Sequence, residues 1–385
     1  MRGSHVTYPG ARALPAPSLA QLERLLAATF GPALRVVDVS DLAPWAVSRC
    51  RLDGAGAPAS VIVKWLRDDP NGFRIDPRQI ATERAALEFL AAIGFRSSPR
   101  SIAADTVAGV VIMEDLAPRE PLAERLRRDG AEANMAELLA FARVAGELAA
   151  ATVGRSADYD AVRASYGDPD PLAGRAMGLG AGWDNTRRAM EACGLAMSGD
   201  VAGELASGVE TLVASGPFLV LTNGDPQANN IMVGDGGARL IDFETAAFRH
   251  ALISATWIHV PGPHWITVAP DAMRGGLEDA CRRAMSAVIP HAEDDRLFGF
   301  GMAAACATLA YERLNRFPRL DARPAGDPSR VQMVAALEAA AAVTARHATL
   351  PQLGGWLEGV AAALRRRWPD ADVDLAAYPP FTPRR

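Results

Sequence analysis

The sequence predicts a two-lobed α+β protein, with a small antiparallel β-sheet lobe that holds one helix and a large, mainly helical lobe. Two observations carry this prediction. Short β-rich runs dominate the start of the 385-residue chain, whereas long helical patterns dominate the rest. A single β-rich island, residues 218–242, interrupts the helical part. We expect an N-terminal extension and helix in residues 1–30, the small lobe in 31–117 and the helical lobe in 118–385.

The small lobe is expected to follow a capped helix. Ser18 followed by Gln21 is typical of a capping box, which predicts a helix through Phe30. β-rich runs then predict strands and a hairpin, and Asp76 with Pro77 is typical of a helix N-terminus. The predicted elements are strands at Leu34–Ser40, Trp45–Leu52 and Ser60–Leu66, a helix from Asp76 to about Ile93, and a hairpin of Ser101–Val107 with Gly109–Glu114.

The helical lobe shows the longer apolar periodicity of amphipathic helices. Helices are predicted in residues 131–152, 180–194, 199–214, 271–288, 292–316, 328–347 and 351–366.

The chain contains a single lysine, Lys64, among its 40 Lys and Arg residues. An ammonium is a compact point charge and a guanidinium is a planar fork, so arginine cannot replace every lysine. A retained lysine is therefore a candidate functional residue. It lies between Val63 and Trp65, which excludes a Walker A loop because that loop requires Gly-Lys-Ser/Thr.

Composition also limits the partners and the compartment. The formal net charge is −5, which argues against a nucleic-acid partner. The four cysteines are far apart and form no CxxC pair, so we expect neither disulfides nor zinc, and a reducing cytoplasm. The longest Ala-rich run, near 335–345, is too short to span a bilayer, so we expect no membrane association.

The β island brings three oxygen-bearing side chains into one pattern. Asp225 follows the apolar run Phe218–Thr222, and Asp235-Gly236 is a strong hairpin signal. The register of that hairpin is expected to bring Asn230 beside Asp242. Few, hard oxygen ligands suit Mg²⁺ shared with substrate phosphates. The alternative is an Asx-rich cluster of turns without a metal.

The helix after Asp76 supplies a second clue. At about 100° per residue, Glu83 falls within the apolar arc of this helix, whereas Glu88 falls outside it and can pair with Arg84. A carboxylate on a buried face needs a cationic partner, and Lys64 lies on the preceding strand. The alternatives are an arginine partner or a position at the solvated rim.

These segments together resemble the aminoglycoside phosphotransferase and choline kinase family of the protein-kinase-like superfamily. The resemblance is carried by Lys64 in VIVK, Glu83, the MEDL segment at Met113–Leu116, NGDPQANN and IDFE, in the family's order, and it covers roughly residues 35–260. It implies the bilobal protein-kinase-like fold. It also implies an enzyme that transfers the γ-phosphate of ATP or GTP, with Mg²⁺, to a hydroxyl of a small metabolite or antibiotic, an aminoglycoside- or choline-like acceptor.

The resemblance implies a role for each matching residue. Asp225 would orient the acceptor hydroxyl and take up its proton. Asn230 and Asp242 would hold Mg²⁺ on the nucleotide phosphates. Lys64 would contact the α- and β-phosphates, steered by Glu83.

The MEDL segment would form the hinge, in which Glu114 to Leu116 present backbone groups to the nucleotide base. Neither the acceptor nor the choice between ATP and GTP follows from these motifs, and the oligomeric state is open as well.

The sequence departs from the family pattern in three places. Asn223 replaces the His before Gly-Asp, and Ser254 stands where the family has an Asp that braces the catalytic loop. The stretch Asp41–Val47, the candidate phosphate-covering loop, contains no glycine. The second hypothesis is therefore a catalytically weak or inactive kinase-like protein that binds nucleotide or metabolite for regulation. A protein kinase is disfavoured because no Ala-Pro-Glu follows Asp242.

Acidic and aromatic residues follow the metal motif and could recognise a cationic acceptor. Structural roles in the core are the alternative for the tryptophans and histidines among them. These candidates are Glu244, Trp257, His259, His264 and Trp265.

Overall fold

The computed structural model describes residues 16–42, 46–66, 78–167, 180, 183–262 and 271–373. By contacts the chain divides into two compact units. The first comprises Met1–Arg119, Ala157–Pro169 and Leu240–Ala246, and the second comprises Glu120–Ser156, Asp170–Arg239 and Ala247–Arg385. The lobe boundaries at residues 30 and 117 stay predictions.

Helices and strands alternate in the first part of the described chain, and helices prevail after it. The strands are β1 Arg35–Asp41, β2 Val47–Asp53, β3 Ser60–Trp65, β4 Ser101–Asp105, β5 Val110–Glu114, β6 Glu120–Pro121, β7 Leu219–Thr222, β8 Ile231–Gly234, β9 Gly237–Leu240 and β10 Ala247–His250. The helices are α1 Leu19–Phe30, α2 Arg78–Ala92, α3 Leu122–Ala133, α4 Met135–Thr152, α5 Ser156–Ala164, α6 Trp183–Ala192, α7 Gly199–Ala214, α8 Asp271–Ser286, α9 Asp295–Arg313, α10 Phe317–Asp321, α11 Pro328–Arg346 and α12 Pro351–Arg367.

The first unit is built on a five-stranded antiparallel sheet in the order β1-β2-β3-β5-β4. Helix α1 begins as predicted, because the Gln21 N–H donates to Ser18 Oγ at 3.3 Å. Leu22 and Leu26 of this helix belong to the buried cluster that also contains Val61 and Ile112 of the sheet. The first helix of the chain is therefore part of the core of this unit.

Helix α2 confirms the predicted second helix and ends one residue before Ile93. Its expected start at Asp76 and Pro77 lies outside the described residues. The predicted amphipathic arc is confirmed, because Glu83 is fully buried and Glu88 pairs with Arg84 at 3.5 Å.

The second unit is mainly helical, with two small sheets. Strands β7 and β10 pair antiparallel, and β8 lies between β6 and β9. The predicted helix at 131–152 matches α4 except at its start, where Asn134, with a φ of −113°, separates α3 from α4. Helices α4 and α8 approach closely at Gly146, where an added Cβ would meet the carbonyl oxygen of Cys281.

The predicted α+β class is confirmed by this combination of an antiparallel sheet with a mostly helical remainder. Within the residues that the structure describes, no helix is both long and apolar enough to cross a membrane.

Candidate active site

Lys64 lies on β3 in the first unit, where three carboxylates surround its ammonium group. Its Nζ is 2.8 Å from Glu83 Oε2 and 2.8 Å from Glu244 Oε2, and it also forms an ion pair with Asp242. The lysine is 5% exposed. The single lysine of the chain is thus a buried cation that forms ion pairs with three acidic side chains.

Glu83 connects three elements of this unit. It projects from α2, its Oε2 meets Lys64 on β3, and its Oε1 accepts a hydrogen bond from the Phe243 N–H at 3.0 Å. Burial raises the pKa of Glu83, and the Lys64 charge opposes that rise without cancelling it. The carboxylate therefore fixes both the lysine and the backbone of the IDFE segment.

The IDFE segment delivers two carboxylates to the same ammonium. Asp242 has a φ of +65°, in the left-handed region that few non-glycine residues adopt. Phe243 is fully buried, while Asp242 and Glu244 on either side of it both reach Lys64. Sequence reasoning placed Glu244 with the acceptor candidates. Its position two residues after Asp242 was the available signal for this contact.

The donor set at Lys64 fits a divalent cation. Glu83, Asp242 and Glu244 each offer an oxygen, and these three atoms lie within 4.8 Å of one another. Three acidic side chains at this spacing attract positive charge. Carboxylate oxygens are the ligands that Mg²⁺ prefers.

Asp225 belongs to the second unit, in the loop that follows β7. Gly224 precedes it with a φ of +84°, and the Asp225 side chain is exposed. Asn230 is buried, and its Nδ2 donates to the Asp225 carbonyl at 2.9 Å and to Asp225 Oδ2 at 3.1 Å. Asn230 therefore orients the exposed Asp225 carboxylate, a contact that the sequence analysis did not predict, whereas the expected position of Asn230 beside Asp242 stays a prediction.

Two of the departures from the family pattern have structural counterparts in this unit. Asn223 is buried and its Nδ2 donates to the Asp225 carbonyl at 3.4 Å, a long bond that supports the loop. The buried Ser254 hydroxyl has no hydrogen-bond partner among the described residues. The loop is thus supported by asparagine side chains, and Ser254 supplies no brace through its hydroxyl. Residues 43–45 of the third departure, the glycine-free stretch, lie outside the described residues.

The predicted hinge begins at the end of β5. The Glu114 N–H donates to the Arg100 carbonyl at 2.9 Å, and Glu114 Oε2 accepts from the Arg100 N–H at 3.0 Å. Leu116 is buried, and its carbonyl accepts from the Arg119 N–H at 3.0 Å. The backbone of this segment is therefore well anchored on both sides of Asp115.

Asp115 is a structural residue of this segment that sequence reasoning missed. Its carboxylate accepts from Arg49 Nε and Ser60 Oγ, each at 2.6 Å, and from the Ala117 N–H at 3.0 Å. Burial alone would raise the pKa of Asp115, but the hydrogen bonds from Arg49, Ser60 and Ala117 lower it below its usual value. Its place in the MEDL segment was the only feature of the sequence that indicated a role for Asp115.

The remaining acceptor candidates have structural partners or lie outside the described residues. Trp257 is buried and stacks on Phe141 with ring centroids 3.9 Å apart. His259 is buried and contacts Glu278 at 2.6 Å. These contacts favour the core roles that we weighed for Trp257 and His259. His264 and Trp265 are not among the described residues.

Comparisons with known proteins identify the family. The sequence profile of the phosphotransferase enzyme family (APH) matches residues 55–288. A sequence search of the curated proteins finds no match. Among solved structures, the chain is similar to a Plasmodium vivax ethanolamine kinase, with a TM-score of 0.50 and 11% identity over 83% of this chain and 87% of that one.

Two further solved structures are similar at lower scores. A choline/ethanolamine kinase family protein from Mesorhizobium loti gives a TM-score of 0.48 and 16% identity, covering 90% of this chain and 99% of that one. The choline kinase LicA from Streptococcus pneumoniae gives 0.47 and 13%, covering 83% and 99%. The profile match spans more than half of the chain, and it therefore shows that this protein belongs to the phosphotransferase enzyme family. The protein is a small-molecule phosphotransferase that acts on hydroxyl acceptors.

Proposed function

We propose that this protein transfers the γ-phosphoryl group of ATP or GTP, in a magnesium-dependent reaction, to a hydroxyl of a small metabolite or antibiotic. The observation that carries the proposal is the ion cluster of Lys64 with Glu83, Asp242 and Glu244. A buried ammonium among acidic groups is suited to exchange part of its contacts for nucleotide phosphates. Phosphoryl transfer needs such positioning and charge neutralisation more than covalent chemistry.

In this proposal Lys64 binds the α- and β-phosphates, and Glu83 orients it. The ammonium of lysine is a compact charge, so it can contact oxygens of both phosphates without the bidentate geometry of an arginine. Glu114 to Leu116 present backbone groups to the nucleotide base, on a segment that Asp115 anchors through Arg49.

The residues that would hold the metal are Asn230 and Asp242. Bound Mg²⁺ would supply charge neutralisation on the phosphate oxygens. Glu244 lies two residues from Asp242 and adds negative charge on the same side of Lys64, which strengthens the attraction of this segment for a cation.

Asp225 is proposed to orient the acceptor hydroxyl and to take up its proton. The Asp225 carboxylate is exposed and is oriented by its hydrogen bond from Asn230, a placement suited to contact with an acceptor hydroxyl. We propose an aminoglycoside- or choline-like acceptor. The structures similar to this chain are named for ethanolamine, choline and macrolide substrates, among others, so these classes define the first acceptors to test.

The second candidate function is a catalytically weak or inactive protein that binds nucleotide or metabolite. Ser254, whose buried hydroxyl lacks a hydrogen-bond partner among the described residues, favours this alternative because the expected loop brace is missing. Thermal stabilisation by ATP and Mg²⁺, without phosphate transfer to any acceptor, would support it.

The deciding experiment is a coupled nucleotide-consumption screen with amino alcohols, sugars, aminoglycosides and macrolides. Asp225→Ala is expected to lower turnover by roughly 10²–10⁴-fold, the range for loss of a general base, while nucleotide still binds. Asp235→Ala, at the exposed tip of the β8–β9 turn, is the matched control and should keep full turnover. Unchanged turnover in Asp225→Ala would contradict the proposed catalytic role.

A further inference from the structure

We propose that residues 157–167, here called the brace segment, hold α2 in the position at which Glu83 meets Lys64. Its Tyr159, Arg163 and Tyr166 act as positioning residues. The inference rests on the proposed function, since it assigns a purpose to the Lys64–Glu83 contact. The brace segment follows helices of the second unit in the chain, yet by its contacts it belongs to the first unit.

The C-terminal half of the brace segment binds α2 through side chains. Arg163 is buried, and its Nε donates to Thr82 Oγ1 at 3.3 Å. The Tyr166 hydroxyl donates to Glu88 Oε2 at 2.5 Å and accepts from Arg84 Nε at 3.2 Å. These hydrogen bonds thus reach residues in both the N-terminal half and the C-terminal half of α2.

The same segment closes on itself and so presents Arg163 rigidly. Arg163 also donates through NH1 to the Gly167 carbonyl at 3.0 Å. This second bond fixes the guanidinium plane, so the Arg163 side chain loses little further freedom when it bonds to Thr82.

The contacts lie on the side of α2 opposite the lysine. At about 100° per residue, with Glu83 at zero, the helix residues that touch the brace segment fall between about 100° and 260°. These residues are Thr82, Arg84, Glu88 and Phe89. The brace segment therefore backs the helix, while Glu83 points away from it toward β3.

Tyr159 links the helix to the IDFE region. Its ring packs edge-on against Phe89 with centroids 5.6 Å apart, and its hydroxyl donates to the Ala246 carbonyl at 3.4 Å. The tyrosine is 5% exposed. Because the Phe243 N–H in turn binds Glu83, one buried side chain contacts both elements that supply Lys64 with carboxylates.

This arrangement explains how Glu83 keeps its contact with Lys64. Glu83 is fully buried, and a buried carboxylate is stable only when it is paired, so its contact with Lys64 depends on the position of α2. If α2 moved away, the lysine would keep only Asp242 and Glu244 and would lie closer to them. The brace segment opposes that movement, and so it keeps Lys64 available to nucleotide phosphates.

The test is a double-mutant cycle in the full-length protein. The combined variant Tyr159→Phe, Arg163→Met, Tyr166→Phe is expected to weaken ATP binding and lower kcat/KM for ATP by roughly 10–10²-fold, as for other losses of positioning. The KM for the acceptor should not change. In the Glu83→Gln background the same three changes should have little further effect, because the carboxylate they position is gone.

Hydrogen exchange supplies a readout that is independent of catalysis. The amides of α2 should exchange faster in the combined variant, while those of α9 in the second unit should not. Tyr166→Phe alone removes only one hydroxyl from a half-exposed ring, so it keeps the cycle usable if the combined variant fails to fold. Tyr311→Phe and Arg143→Met in the second unit are the matched controls and should resemble wild type.

Additive effects of the brace changes and Glu83→Gln, or wild-type ATP binding in the combined variant, would overturn the proposed brace. The failure of the proposed function looks different: Asp225→Ala would leave turnover intact, or no acceptor would be phosphorylated. ATP affinity and α2 exchange can be measured without an acceptor, so the two failures are distinguishable.

Discussion

Each unit of this protein contains a cluster of charged groups, and the two clusters have opposite compositions. In the first unit one ammonium, Lys64, meets three carboxylates. In the second unit one carboxylate, Glu278, meets two histidines and an arginine: His259 Nε2 lies 2.6 Å from Glu278 Oε2, His347 Nε2 lies 3.3 Å from it, and Arg346 Nε lies 3.7 Å from Oε1. The difference indicates which cluster is functional.

In the Glu278 cluster, the neighbouring side chains stabilise the carboxylate. Burial alone would raise the pKa of Glu278, but hydrogen bonds from His259 and His347 lower it to about 2. Burial also lowers the pKa of His259, so this ring is neutral at pH 7 and donates its Nε2–H to the ionised carboxylate. The charge of Glu278 is therefore compensated by groups of the same unit.

The Lys64 cluster differs, because oxygens of three carboxylates lie within 4.8 Å of one another there. Carboxylate oxygens at this spacing could hold a divalent cation or rearrange around a ligand. A cluster that could hold a cation is a candidate for function, whereas a single carboxylate bonded to histidines of its own unit serves the fold.

Among the changes that test this contrast between the two clusters, the largest effect is expected at Lys64. Lys64→Arg keeps the positive charge but replaces a compact ammonium by a fork that the three carboxylates do not fit. Turnover should fall by roughly 10²–10³-fold, as when a group that stabilises transition-state charge is misplaced. Arg346→Lys, the reverse change in the second cluster, should leave turnover unchanged. Equal turnover in both variants would remove the distinction between the clusters.

A smaller effect is expected at Glu278. Glu278→Gln removes the charge that His259 and His347 stabilise, and the free energy of unfolding should fall by about 1–3 kcal/mol. Turnover per folded molecule should stay at the wild-type level. Chemical denaturation together with the coupled assay measures both. A loss of turnover without a loss of stability would assign the second cluster to the site instead.

The smallest effect is the pH dependence of this cluster. Below a pH of about 4.5 the unfolded chain protonates Glu278, while the folded pKa of about 2 keeps it ionised. The free energy of unfolding should therefore fall as pH falls through this window, by up to roughly 1.4 kcal/mol per pH unit from this group. The stability difference between wild type and Glu278→Gln should shrink accordingly. A difference that stays constant would show that the carboxylate is not stabilised in the folded state.

Local patterns in the sequence were sufficient for several features. The capping residue Ser18, the buried position of Glu83 and the pairing of Glu88 with Arg84 follow from helix periodicity and short-range hydrogen bonding. Such features depend on neighbours within a turn or two, so the chain itself encodes them.

Other features joined distant parts of the chain and were missed. Helix α5 is short and polar, and nothing in its own residues indicates that Tyr159 packs on Phe89 and contacts Ala246. The contact of Asp115 with Arg49 spans 66 residues. Such pairings depend on which strands and helices become neighbours, and a single sequence without structure does not specify that choice.

The sequence by itself determined the fold class, the family resemblance and the identity of the single lysine, because these depend on composition, periodicity and ordered motifs. Only the tertiary structure decided that Lys64 meets Glu83, Asp242 and Glu244 together and that α5 backs the helix that carries Glu83. The physical reason is that the pairing of a buried charge depends on every group that folding brings within a few ångströms, however far apart those groups lie in the chain.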